Sequence, residues 1–148
     1  DLGLIASMAL GVAWLPALRK LAGRFPSIPF LCHHMSGARA GETPPYDTLN
    51  EILKCSAVPN IHIKLSGFQY VSEVAWEYPH SDAMWIVRKL YENFGPERLC
   101  WASNYPPVAL ATTYQQSLEA VRTHCGFIAK EDMALILGGN MQRLLGLS

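Results

Sequence analysis

At 148 residues the chain has one domain's length and enough residues for a real core. Half of it is hydrophobic, only 16% is charged, and 12 Lys and Arg balance 12 Asp and Glu. With no net charge and no basic stripe, nucleic acid and an anionic membrane surface are excluded as expected partners.

Leu2 to Leu18 carries no charge, but Gly3, Gly11 and Pro16 interrupt it and Pro26 soon follows. A buried strand running into a helix explains that stretch better than a signal or membrane segment. The chain opens at Asp1 in mid-pattern, which suggests a fragment or an incomplete gene product.

Leu4 to Leu10 reads as the first strand, and Leu15 to Phe25 as a helix with Leu15, Leu18, Leu21 and Ala22 on its apolar face. Ile28 to Cys32 is the next strand. Thr43-Pro44-Pro45 resembles an N-cap followed by proline in the first turn, so Tyr46 to Cys55 is predicted helical. Val58 to Leu65 forms the third strand and ends at Ser66-Gly67. Ser81 is the expected cap of a helix from about Asp82 to Phe94, with Trp85, Val87, Leu90, Tyr91 and Phe94 toward the core.

Gly95-Pro96 ends that helix, because glycine tolerates the cap geometry and proline cannot continue the ladder. Leu99 to Ala102 is the fourth strand, a short apolar run of the kind buried on both faces of a parallel sheet. Helices are expected over Thr113 to Cys125, Lys130 to Leu137 and Asn140 to Leu147. Cys32, Cys55, Cys100 and Cys125 are scattered without a C-x-x-C pair, and reduced buried thiols in a cytoplasmic protein fit them better than a disulfide framework. No linker divides the chain, so residues 1–148 are expected to form a single domain.

Strands alternating with helices imply βαβ units and a parallel sheet. Four such units make half of an eightfold barrel; an independent open doubly wound sheet is the alternative, though no Gly-rich phosphate loop supports it. In α/β barrels the carboxyl ends of the strands carry the chemistry. Ser103-Asn104 falls where the fourth strand spills into its loop.

Five phrases in order then carry a resemblance. Leu21-Ala22-x-x-Phe25-Pro26, Phe30-Leu31-Cys32-His33, Asn60-Ile61-His62-Ile63-Lys64-Leu65-Ser66-Gly67, Phe94 to Pro106, and Ile136 to Leu144 together are similar to the second half of amidohydrolase-related proteins. That family comprises metal-dependent hydrolases and decarboxylases with a TIM-barrel fold. The resemblance implies an α/β parallel barrel of which this chain is the C-terminal half. It also implies a divalent metal, zinc or manganese, that activates water or polarises a carbonyl, although a metal-free lactonase branch stays open. By the same resemblance the sixth-strand histidine orients or protonates substrate, and the eighth-strand Asp binds metal and moves the proton.

Here the eighth strand offers Asn104, which can give a metal a carbonyl oxygen but cannot act as a base at neutral pH. The presumed fifth strand, Ile5-Ala6-Ser7-Met8, has no histidine. His33 and Asn104 are therefore the candidate catalytic residues, with Asn104 also the candidate metal ligand. His34, Lys64, Ser66 and Tyr105 are candidates for substrate contact. Strand alternation sends only one of His33 and His34 into the barrel mouth; His33 is the first choice.

Each residue also has an ordinary reading. His33 can simply bond backbone at a strand end, Asn104 can cap a turn, and Ser66 and Gly67 can shape one. Lys64 either points inward toward an acidic group, joins a buried ion pair, or lays its stem over the sheet. Trp76, Tyr78 and His80 either roof a pocket or pack their own loop, and His62 and His124 read as structural or surface residues. The expected function is hydrolysis of a lactone, amide or similar small carbonyl compound, with little turnover by this chain alone. A catalytically silent scaffold subunit, completing its barrel with another copy or with a complementing N-terminal half, is the alternative.

Overall fold

The computed structural model describes residues 3–147, so what was read into Asp1 and Leu2 lies outside the described residues. Four strands, β1 (Ala6–Met8), β2 (Phe30–Cys32), β3 (Ile61–Leu65) and β4 (Leu99–Trp101), form one sheet in the order β1-β2-β3-β4. Every pair is parallel. The strands are shorter than the apolar runs that predict them, because a residue counts as strand only where a neighbour completes its ladder.

Seven helices pack around this sheet among the described residues: α1 (Leu15–Arg24), α2 (Asp47–Leu53), α3 (Phe68–Val71), α4 (Met84–Phe94), α5 (Tyr114–Arg122), α6 (Lys130–Ala134) and α7 (Asn140–Leu145). A π-helical turn over Leu135–Gly139 joins the last two. Helix α1 buries Leu15, Leu18 and Ala22, a spacing that puts all three on one face. Leu21 departs from the expected stripe and is 42% exposed.

Two expected caps are replaced by others. Tyr46, in left-handed backbone, occupies the N-cap position of α2. The α2 amides are met instead by the Glu42 carboxylate, which accepts from the Thr48 and Leu49 nitrogens at 2.6 and 3.1 Å. Ser81 makes no capping hydrogen bond; it opens a short 3-10 turn that runs into α4. By contrast Thr113 and Gln116 form a reciprocal capping box at α5.

Register fixes which residues share a sheet face. On one face Ala6, Phe30 and Ile61 stand in line, and Met8, Cys32, Ile63 and Leu99 form the next row; on the other face Ser7, Leu31 and His62 stand in line, and then Lys64 with Cys100. The first face, with Leu65, joins the helices' Leu15, Leu18, Ile52, Ile86, Val87, Leu90 and Phe94 in the core. Burying each such side chain contributes about 1.5–3 kcal/mol. The second face holds Leu31 and Cys100, both buried, among the polar Ser7, His62 and Lys64.

At the amino ends of the strands, side-chain amides and a guanidinium clamp the layers together. Asn60 Nδ2 donates to the carbonyls of Ala22, Phe25 and Ile28 at 3.1, 3.0 and 2.8 Å. Arg98 donates to the carbonyls of Phe94, Ser56 and Val58. Asn140, fully buried, donates to those of Pro96 and Leu99 at 2.7 and 2.8 Å. Backbone carbonyls left by helix ends and turns thus find partners that helix and sheet alone do not supply.

Candidate functional site

Because all four strands run the same way, their carboxyl ends gather at one side of the sheet. The segments that follow them carry Ser7 (on β1), His33 and His34, Lys64 and Ser66, and Ser103 and Asn104. Three of these chains of residues meet directly. The His33 backbone nitrogen donates to the Met8 carbonyl at 2.9 Å, which carries the β1–β2 ladder one residue past the strand. Its ring then lies over the second sheet face, with Nε2 2.7 Å from Ser7 Oγ and 3.2 Å from Lys64 Nζ.

The tautomer of His33 follows from its neighbour. An ammonium has three hydrogens to donate and no lone pair to accept with. The nitrogen facing it must therefore be the unprotonated one, leaving the ring proton on Nδ1. Burial, and then the positive charges of Lys64 and His34, hold the His33 pKa below its ordinary value. Burial lowers the Lys64 pKa as well. Among the described residues no carboxylate lies within ion-pair distance of Lys64, so of its open readings the inward one fits the geometry.

His34 follows with φ 52°, Met35 with 49° and Ser36 with 55°, a left-handed turn built from three non-glycine residues. Such backbone costs of order 1–3 kcal/mol per residue and is typical of functional sites. It also overturns the alternation that would admit only one histidine: the left-handed step brings the His34 ring beside His33, edge-on at 5.6 Å. Ser66 Oγ accepts from the His34 backbone nitrogen at 3.4 Å and lies 3.1 Å from His34 Nδ1.

Gly67 makes room for this ring. Its φ is +65°, and a Cβ there would meet His34 Nδ1 at 2.5 Å and Tyr70 Cδ2 at 2.9 Å. Tyr70 stacks edge-on against His34 with centroids 5.3 Å apart. Burial, followed by the charge of Lys64, lowers the His34 pKa also.

Asn104 lies at the same side of the sheet, again with positive φ, 60°. It takes no part in these contacts, and its buried amide nitrogen has no hydrogen-bond partner. Tyr105 is 70% exposed, with its backbone nitrogen donating to Ser103 Oγ. Sequence reasoning passed over Ser7; the signal available was strand alternation, which sets it on the face that His33 joins.

The remaining candidates stand apart from this cluster. His80 is buried and stacked on Phe68, Tyr78 pairs with His124 at 3.1 Å, and Trp76 is 76% exposed. His62 is buried in β3, and burial with the nearby Arg143 and Arg98 pushes its pKa down to about 4. All four cysteines are free and buried, and burial raises the thiols of Cys32 and Cys125 to about 12. A groove of about 840 Å³ beside Val12 and α2 is lined by Asp47, Glu51 and Lys54 and lies away from the histidines. No helix among the described residues is long and apolar enough to cross a membrane.

A metal fits this donor set poorly. Among the described residues no three His, Cys, Asp or Glu side chains converge as a metal cluster. His33 Nε2 already faces an ammonium, and Asn104 brings no negative charge.

Comparison with known proteins places the architecture. The chain is 30% identical over 135 residues to an L-fucono-1,5-lactonase of Burkholderia ambifaria, covering 85% of this chain and 44% of that protein. It superposes with TM-score 0.84 on an amidohydrolase from Burkholderia multivorans crystallised with zinc, at 18% identity over 97% of this chain and 53% of the other. A candidate 2-pyrone-4,6-dicarboxylic acid hydrolase from Pseudomonas putida gives TM-score 0.80 at 18% identity, over 99% and 53% of the two chains. The chain thus spans about half the length of the relatives it matches, and its fold is the C-terminal half of a TIM barrel. With the Amidohydrolase family model matching residues 1–147, the chain belongs to the amidohydrolase family.

Proposed function

We propose that this chain carries the substrate-orienting and proton-handling part of an amidohydrolase-type site for a lactone or related carbonyl compound. The observation that carries the reading is the convergence of His33, His34 and Lys64 at the carboxyl ends of parallel strands. Lys64, with no carboxylate partner among the described residues, suits the carboxylate of an acidic substrate or the oxygen that gains charge in the reaction. His34 offers a hydrogen bond to a carbonyl or ring oxygen, and His33 Nε2 accepts a proton. Similarity to an L-fucono-1,5-lactonase supports a lactone as the substrate class.

A zinc or manganese ion in this site would draw its donors from strands other than these four, with Asn104 contributing a neutral oxygen. No step is assigned to it. The chain alone is expected to bind ligand and to show little metal-dependent turnover. Titration with L-fucono-1,5-lactone and its open carboxylate, followed by the ring resonances of His33 and His34, is expected to give saturable shifts that weaken at least roughly tenfold in Lys64→Met. Absence of saturable shifts contradicts the site. Rapid zinc-dependent lactone hydrolysis by the purified chain, abolished by His33→Ala, contradicts the low turnover.

A second reading has its own observation. Among the described residues the order β1-β2-β3-β4 leaves the outer edges of β1 and β4 without a strand partner, and unpaired edges drive association. Closure of the barrel by another chain, a second copy or an N-terminal half, follows from it. Light scattering on the eluting peak tests self-association, and a stable monomer counts against a second copy.

A further inference from the structure

Ser7 stands outside every role described so far. Its hydroxyl is on the exposed rim of the sheet, 2.7 Å from His33 Nε2, the nitrogen left unprotonated and able to accept. The same nitrogen has the Lys64 ammonium at 3.2 Å. A hydroxyl within hydrogen-bond reach of a base, beside a cation, is the geometry of an activated nucleophile. We infer that Ser7 is a nucleophile, with His33 as its base and Lys64 as the cation beside the developing oxyanion, and that carboxylic esters and lactones acylate it.

The electron flow is simple. A Ser7 Oγ lone pair forms the bond to the carbonyl carbon while the hydroxyl proton passes to His33 Nε2. The carbonyl π electrons move onto oxygen, where the Lys64 ammonium lies close enough to stabilise the charge. When the carbonyl re-forms, the ester or lactone C–O bond breaks, and the departing oxygen takes the proton from Nε2. Water then attacks acyl-Ser7, its proton goes to His33, and the proton returns to Oγ as the acid leaves. No oxidant or second substrate is needed.

This chemistry rests on the proposed function only for the identity of its natural acyl donor, and the test separates the two. The full chain is incubated with an alkyl fluorophosphonate, and separately with p-nitrophenyl acetate, and adducts are located by peptide mass mapping. The expected result is a single adduct on Ser7, absent in Ser7→Ala and formed at least roughly 100-fold more slowly in His33→Gln. Ser27→Ala, at the other end of the sheet, is expected to react as the parent does. A Ser7→Cys variant provides a second reading, because the four native thiols are buried. It is expected to react with iodoacetamide at neutral pH roughly tenfold faster than free cysteine.

Adducts distributed over other residues, or undiminished in Ser7→Ala, overturn the inference, as does a Ser7→Cys variant no faster than free cysteine. Lactone binding without Ser7 labelling leaves the proposed function standing and removes the nucleophile. Ser7 labelling without lactone binding does the reverse.

Discussion

The two ends of this sheet are built on opposite rules. At the amino ends, Asn60, Arg98 and Asn140 spend their donors on backbone carbonyls of three layers. At the carboxyl ends Ser66 and Ser103 still take backbone nitrogens, but the ionisable groups face one another. Among the described residues Lys64 lacks a carboxylate and Asn104 Nδ2 lacks a partner, and His34, Met35, Ser36 and Asn104 hold left-handed backbone. One end is satisfied and unstrained; the other stores uncompensated polarity where a ligand would relieve it. That contrast supports the proposed site without reference to any pocket volume.

The largest effect expected from this contrast is at the satisfied end. Asn140→Leu leaves the buried Pro96 and Leu99 carbonyls without their donor, at a cost of about 2–4 kcal/mol. Chemical denaturation should show that loss while the His33 and His34 ring resonances stay in place. A loss under about 0.5 kcal/mol would mean that the clamp is ornamental.

His62, between the two ends, gives an effect of similar size through pH. Its folded pKa of about 4 lies below the ordinary histidine value of 6.5, so the unfolded chain holds the proton more tightly. The destabilisation is absent above pH 6.5 and grows as pH falls toward 4, reaching roughly 3 kcal/mol. Denaturation midpoints of the parent and of His62→Gln across that window should diverge. Parallel curves contradict the burial argument.

A smaller change is expected at the strained end. Gly67→Ala adds a methyl in left-handed backbone and against His34, and should cost about 1–2 kcal/mol. Its diagnostic is local: the His34 ring resonances should move, while Asn140→Leu leaves them alone. Equal silence from both variants would erase the distinction between the ends.

Much of this was legible in the sequence. The βαβ order and the four strand tips follow from apolar runs punctuated by Gly95-Pro96 and Ser66-Gly67. Asn60, Arg98 and Asn140 stand out as parts of recurring phrases, but their long-range hydrogen bonds reach 32 to 44 residues along the chain and link layers that no local pattern predicts. Ser7 carries no motif, and only the in-register pairing of β1 with β2 sets it beside His33. The His34 turn defeats alternation because three left-handed residues interrupt the extended backbone on which that rule depends.

The ring nitrogens of His33 report the central arrangement most directly, through long-range ¹H–¹⁵N spectra followed across pH. A neutral ring at neutral pH is expected, protonated on Nδ1, titrating below the ordinary histidine range and moving upward toward it in Lys64→Met. A His33 that carries its proton on Nε2, titrates in the ordinary range and ignores Lys64→Met would contradict the arrangement.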